Sequence, residues 1–89
     1  MPELHESFVR LLDVWAFVVE NEGTTISNIA SKLGMNRGTL SKNLDALERL
    51  GVIKRVKVRG PPKRIEIHLT EKGKRVAKEV LAIHSVLKS

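Results

Sequence analysis

The chain has 89 residues, of which 29% are charged and 42% hydrophobic, and its formal net charge at neutral pH is +6. That length accommodates one domain around one core, covering residues 1–89, and the composition is that of a globular chain, not a disordered one. The lack of cysteine rules out disulfides and thiolate chemistry, and the basic balance calls for a polyanionic partner.

A first amphipathic helix is expected from about Leu4 to Asn21. At about 100° per residue, Leu4, Phe8, Leu11, Leu12, Trp15, Val18 and Val19 share one wide face. Glu6, Arg10, Asp13 and Glu20 lie opposite, with Phe17 among them as an aromatic stranded in a polar face. Trp15, in the middle of the apolar face, reads as core and not as a base-stacking platform. Glu22 and Gly23 end the helix.

The next segment, Thr25 to Gly34, reads as a short helix capped by Thr25, with Ile26, Ile29, Ala30 and Leu33 at helical spacing. After a very short turn through Met35, Asn36 caps a third helix. There Leu40, Leu44, Leu47 and Leu50 recur at intervals of four, three and three, and Gly51 closes it. Val52, Val56 and Val58 then alternate with Arg55, Lys57 and Arg59. Gly60, Pro61 and Pro62 form a turn that neither a helix nor a central strand tolerates. Ile65, Ile67 and Leu69 alternate with Arg64, Glu66 and His68, so the two runs read as a β-hairpin. Thr70 caps a last helix over residues 71–88, where Gly73, Val76, Val80, Ile83 and Leu87 form a heptad-like seam.

The spacing of Ala30, Gly34 and Leu40 carries the most information. A small residue lets the third helix cross closely over the second. A glycine four positions on permits the left-handed turn, and a leucine six further plugs the angle between them. This is the steric pattern of a helix-turn-helix, whose second helix enters the major groove of DNA. The fold expected is mainly α with a small β-hairpin, a winged helix-turn-helix in the order helix, short strand, helix, helix, strand, strand, helix.

The sequence resembles winged helix-turn-helix regulators of the multiple-antibiotic-resistance-regulator (MarR) type over about residues 24–76. The resemblance rests on Thr25-Ile-Ser-Asn-Ile-Ala, Asn36-Arg-Gly-Thr-Leu-Ser-Lys, Leu47-Glu-Arg-Leu-Gly-Val-Ile-Lys-Arg and Leu69-Thr-Glu-Lys-Gly. It implies a dimeric, DNA-binding transcription regulator. The hairpin tip departs from the family pattern, since no acidic residue stands just before Arg64.

Charge distribution supports a nucleic-acid partner. Residues 1–31 hold five acids against Arg10 alone, whereas residues 32–89 hold fifteen basic groups against five acids. On the third helix, Arg37, Thr39, Ser41 and Lys42 occupy the first two turns, where a recognition helix meets base edges. Gly38 allows a close approach to a phosphate at the helix N-terminus. Lys54, Arg55, Lys57 and Arg59 are candidate phosphate contacts, and Lys63 and Arg64 at the hairpin tip are placed to reach a minor groove. Asp45 and Glu48 are expected to be solvated or paired with Arg49. The terminal helices, residues 4–21 and 71–88, are expected to form a homodimer through Phe17, Val76, Val80, Ile83 and Leu87, with Leu81 and Val86 flanking the seam.

Other classes find little support. His5, His68 and His84 lack partners at ligand spacing, so neither a metal nor a cofactor is expected. No nucleophile–base pair or glycine-rich phosphate loop argues for an enzyme, and three aromatics are few for a module that stacks unpaired bases. Without a long apolar run or a basic start leading into one, a cytoplasmic location is expected, and no residue names a small-molecule effector. Two alternatives to a sequence-specific regulator remain. One is a chromatin-like architectural protein with low sequence preference; the other is a winged helix used for protein contact.

Overall fold

The computed structural model describes the backbone of residues 2–89 and the side chains of residues 6–89. The elements are α1 (Pro2–Glu20), β1 (Thr24–Thr25), α2 (Ile26–Leu33), α3 (Arg37–Arg49), β2 (Ile53–Val58), β3 (Arg64–Leu69) and α4 (Glu71–Lys88). Three caps expected from sequence are present. Thr25 accepts from the Asn28 amide, Asn36 from the Thr39 amide and Thr70 from the Gly73 amide, each satisfying a donor that the helix itself leaves free. Gly34 takes the left-handed conformation, φ 61° and ψ 36°, and stops α2.

The strands form one antiparallel sheet in the order β1-β3-β2. Ile53 pairs with Leu69, Arg55 with Ile67 and Lys57 with Ile65. Directly opposed residues share a face of the sheet, and Ile53, Ile67 and Leu69 are buried. Arg55 and Lys57 therefore lie on the core-side face of the wing, and Lys54, Val56 and Val58 on the other. This reverses the alternation expected from the valines. Val52 precedes the strand, and Ile53 sets the phase; a one-residue change of phase moves every side chain to the opposite face.

The main core gathers Val14 and Val18 of α1, Ile29 of α2, Met35 of the turn, Leu40, Leu44 and Leu47 of α3, Val52 and Ile53, and Ile67 and Leu69 of β3. At the start of α4, Gly73 is buried against the backbone of Val52. A helix touching α2, α3, α4 and β3 at once has no single apolar face. Hence Val14 and Ala16 are fully buried and Phe17 is half-buried against the core, while Phe8 is 51% exposed. The expectation of a stranded Phe17 and a buried Phe8 is thereby corrected. Leu4 and His5 lie outside the residues whose side chains are described.

The seam on α4 is divided. Val76 packs on the main core and Val80 is buried where α4 runs along α1. His84 Nε2 lies 2.8 Å from Asp13 Oδ1, and Lys88 Nζ 3.5 Å from the same oxygen, so polar contacts fasten the two helices further along. Val80 is thus internal and unavailable to a second chain. Ile83, Val86 and Leu87 remain exposed.

Candidate nucleic-acid interface

Three fully buried leucines, Leu40, Leu44 and Leu47, fix one side of α3 to the core, so its other side must face out. There Arg37, Gly38, Ser41 and Lys42 are exposed, and Thr39 is half-buried. The expected first-turn residues are therefore presented together, above a helix N-terminus whose amides favour anions. Gly38 has an ordinary backbone conformation; its use is to leave the first turn bare, the nearest neighbour to an added Cβ being Asn36 Oδ1 at 3.4 Å.

The side chains on this surface are partly prearranged. Arg37 donates to Ser27 Oγ at 2.8 Å, which draws its guanidinium toward the start of α2. A concave groove of about 250 Å³ runs there, lined by Thr25, Ser27, Arg37, Lys63, Arg64 and Ile65. The first turn of α3 and the wing tip therefore share one cationic hollow, although Arg37 and Lys63 are 26 positions apart in the sequence. Lys57, Arg59, Lys63 and Arg64 line a second hollow on the wing itself.

Four candidates depart from the expected arrangement. Arg55 donates to Asp45 Oδ1 at 2.7 Å, and its Nε lies 3.3 Å from Glu48 Oε1. It serves α3 and is not a free phosphate contact; the carboxylates pair with Arg55 and not with Arg49, because the core-side face of β2 aims this guanidinium at α3. Arg64 Nε is 3.1 Å from Glu66 Oε2, which reduces its net charge but leaves the side chain at the surface. Lys54 lies at the far end of β2 opposite His68, away from the tip cluster. Lys42, finally, stands at the opposite flank of α3 in a groove with Ser7, Arg10, Thr39 and Asn43. Ser27 and Arg10 escaped the sequence reading. Arg10 had one signal, being the lone base in an acidic segment.

Behind the wing, His68 Nε2 is 3.0 Å from Glu66 Oε1 and its Nδ1 is 3.7 Å from Glu22 Oε2. The hydrogen bond from His68, then that from Arg64, holds the Glu66 carboxyl below its ordinary pKa of 4.5. Among the described residues no cluster suited to a metal ion occurs, and no helix is long and apolar enough to cross a membrane.

A helix-turn-helix with a cationic second helix beside a basic β-hairpin defines a winged helix DNA-binding module. The chain belongs to the winged helix DNA-binding domain family, whose model matches residues 9–87. It is 33% identical over 70 residues to the HTH-type transcriptional regulator TtmR of Methylorubrum extorquens, a match covering 79% of this chain and 34% of that protein. The chain thus spans about a third of the length of this relative. Among solved structures, a transcriptional regulator homologue from Pyrococcus horikoshii superposes with a TM-score of 0.74 at 26% identity, covering 99% of this chain and 96% of that one. Reduced AbfR bound to DNA superposes with a TM-score of 0.73 at 25% identity, covering 86% and 54% respectively. The structural neighbours are regulators of the MarR family, in agreement with the resemblance read from the four sequence motifs.

Proposed function

We propose that this protein is a double-stranded DNA-binding transcription regulator acting as a homodimer, a non-catalytic protein of the cytoplasm. The third helix enters the major groove, and the wing follows the backbone into the adjoining minor groove. The observation that carries this reading is the shared cationic hollow of Arg37, Lys63 and Arg64, which joins the first turn of α3 to the wing tip. Lys42 and Ser41 stand on the same exposed side of a helix whose back is locked by leucines. The DNA complex of AbfR supports the same use of the fold.

Dimerisation is supported by Ile83, Val86 and Leu87, an exposed apolar stripe at the end of α4. Two copies would set their recognition helices about one helical turn of DNA apart. Selection from a random duplex library, with the mass of the complex measured, tests both parts. A sharp two-fold symmetric motif with two chains per duplex is the expected result. Binding without any motif would establish the architectural alternative, and no duplex binding at low salt would remove DNA as the partner.

A further inference from the structure

We propose that α1 supplies a second anchor for the DNA backbone, with Arg10 and Lys42 together holding a phosphate on the flank of the recognition helix opposite the wing. The proposal rests on the DNA-binding reading and adds a contact from a helix otherwise assigned to packing and dimerisation.

The site is a groove of about 260 Å³ between α1 and α3, lined by Ser7, Arg10, Thr39, Lys42 and Asn43. None of these five is an acid. Asp45 and Glu48 mark the other flank of α3, where Arg55 of the wing meets them. Thr39 and Asn43, one turn apart, mark this one. The Asn43 amide is already committed to the Thr39 carbonyl at 3.1 Å and to Met35 Sδ at 3.8 Å, which holds the groove's floor in place. Ser7, Arg10 and Lys42 stand exposed at its rim.

The electrostatics favour an anion. Among the described residues, neither Arg10 nor Lys42 has a carboxylate within 4.0 Å. Of the acids next to Arg10 on α1, Asp13 is engaged by His84 and Lys88, and Glu6 lines the hollow on the other side of Arg10, with Val9, Asp13, Leu33 and Met35. Two cations from separate helices thus converge on one groove without a counter-charge between them, an arrangement that a phosphate oxygen relieves. With Lys63 and Arg64 on one side and Arg10 on the other, α3 is bracketed by backbone contacts, which fix register and leave sequence reading to α3.

The test is a fluorescence-anisotropy titration of a 30-base-pair duplex across a potassium chloride series, with the wild type, Arg10→Ala, Arg10→Lys and Lys42→Ala. Losing one phosphate contact lowers the slope of log affinity against log salt by about 1. Arg10→Ala is expected to weaken binding several-fold and to flatten that slope, while Arg10→Lys keeps most of it. Thermal melts of the same variants confirm that an exposed substitution leaves the fold intact. If Lys42→Ala weakens binding but Arg10→Ala leaves affinity and slope unchanged, the α1 anchor is overturned and the DNA reading stands. If Arg10→Ala leaves the slope unchanged yet abolishes saturable binding of inorganic phosphate, the groove holds a free anion and the proposal is likewise overturned. If the wild type binds no duplex at low salt, the DNA reading itself fails, and the anchor with it.

Discussion

Arg55 on β2 donates to Asp45 on α3 across 2.7 Å, and through that bond the base of the wing is fastened to the recognition helix. The guanidinium also spans toward Glu48 one turn on, at 3.3 Å. One residue therefore neutralises both acids on the wing-facing flank of α3 and holds the angle between the two DNA-facing elements. The side chains are 27% and 50% exposed, so solvent screens the pair and its worth is modest. A double-mutant cycle with Arg55→Ala and Asp45→Ala is expected to give a coupling of about 0.5–1 kcal/mol in urea unfolding. A coupling near zero would reduce the pair to an incidental surface contact.

Gly73 sits one turn into α4, where helix propensity alone favours alanine by about 1 kcal/mol. Packing reverses that sign. A Cβ at this position would overlap the Val52 carbonyl oxygen, and the obstacle is backbone, which cannot swing aside. Overpacking of this kind costs about 1–3 kcal/mol or more. Gly73→Ala is expected to lower the melting temperature by several degrees, since 1 kcal/mol corresponds to about 4–8 °C in a domain of this size. A raised melting temperature would show that α4 is not seated against the start of β2 as described.

The contrast between these two sites indicates what the sequence could disclose. The helix-turn-helix was legible because Ala30, Gly34 and Leu40 each have a steric duty set by neighbours within ten residues, and Gly34 and Leu40 occupy the places their types require. The partners of Arg55 were not legible. They depend on the phase of β2, which Ile53 sets by pairing with Leu69, and alternation with Val52 suggested the opposite phase. The same holds for α1: periodicity assumes one buried face, but neighbours on several sides bury Val14 and Ala16 and half-cover Phe17. The cationic surface of α3 was visible as charge. Its division into a hollow shared with the wing and a groove shared with Arg10 required the tertiary arrangement.

Glu66 gives the wing an acid-sensitive element. Its folded-state pKa lies below the ordinary 4.5, held down first by the hydrogen bond from His68 and then by that from Arg64. The native state therefore takes up this proton less readily than the unfolded chain. The stabilising contribution is complete above the unfolded value and drains away as pH falls through 4.5 toward the folded value. In urea titrations, Glu66→Gln is expected to be less stable than the wild type at pH 5, with the gap closing toward pH 3. A gap that widened on acidification would contradict the assignment.

The cations around α3 are expected to give different signatures on DNA. Lys63→Ala, at the wing tip, is expected to weaken binding to all duplexes alike and to flatten the salt dependence by about one unit of slope. Arg37→Ala, in the first turn of α3, is expected to cost about 1–3 kcal/mol on a selected operator, whereas Lys42→Ala, which removes a phosphate contact in the groove shared with Arg10, is expected to weaken all duplexes alike. Ser27→Ala should produce a smaller loss in the same direction as Arg37→Ala, because Ser27 only orients that guanidinium. Gel-shift titrations on the selected operator and on a scrambled duplex separate these cases. If Arg37→Ala binds the operator normally, the first turn of α3 does not read the site.

The divided seam of α4 allows folding and association to be separated. Val80 is buried inside the chain and Val86 is 71% exposed, so the same substitution has opposite consequences at positions six residues apart. An aspartate at 80 would place an unpaired charge in the packing between α1 and α4, and Val80→Asp is expected to unfold the chain at room temperature. Val86→Asp should leave the circular dichroism spectrum unchanged, because water already covers that position in the single chain. In a dimer closed by Ile83, Val86 and Leu87, however, each partner would bury the new charge against an apolar stripe. Light scattering is therefore expected to report a dimer for the wild type and a monomer for Val86→Asp. Binding to a two-half-site operator should weaken in parallel, since a monomer loses the gain from linking two recognition helices. A Val86→Asp protein that keeps its dimeric mass would place the interface elsewhere.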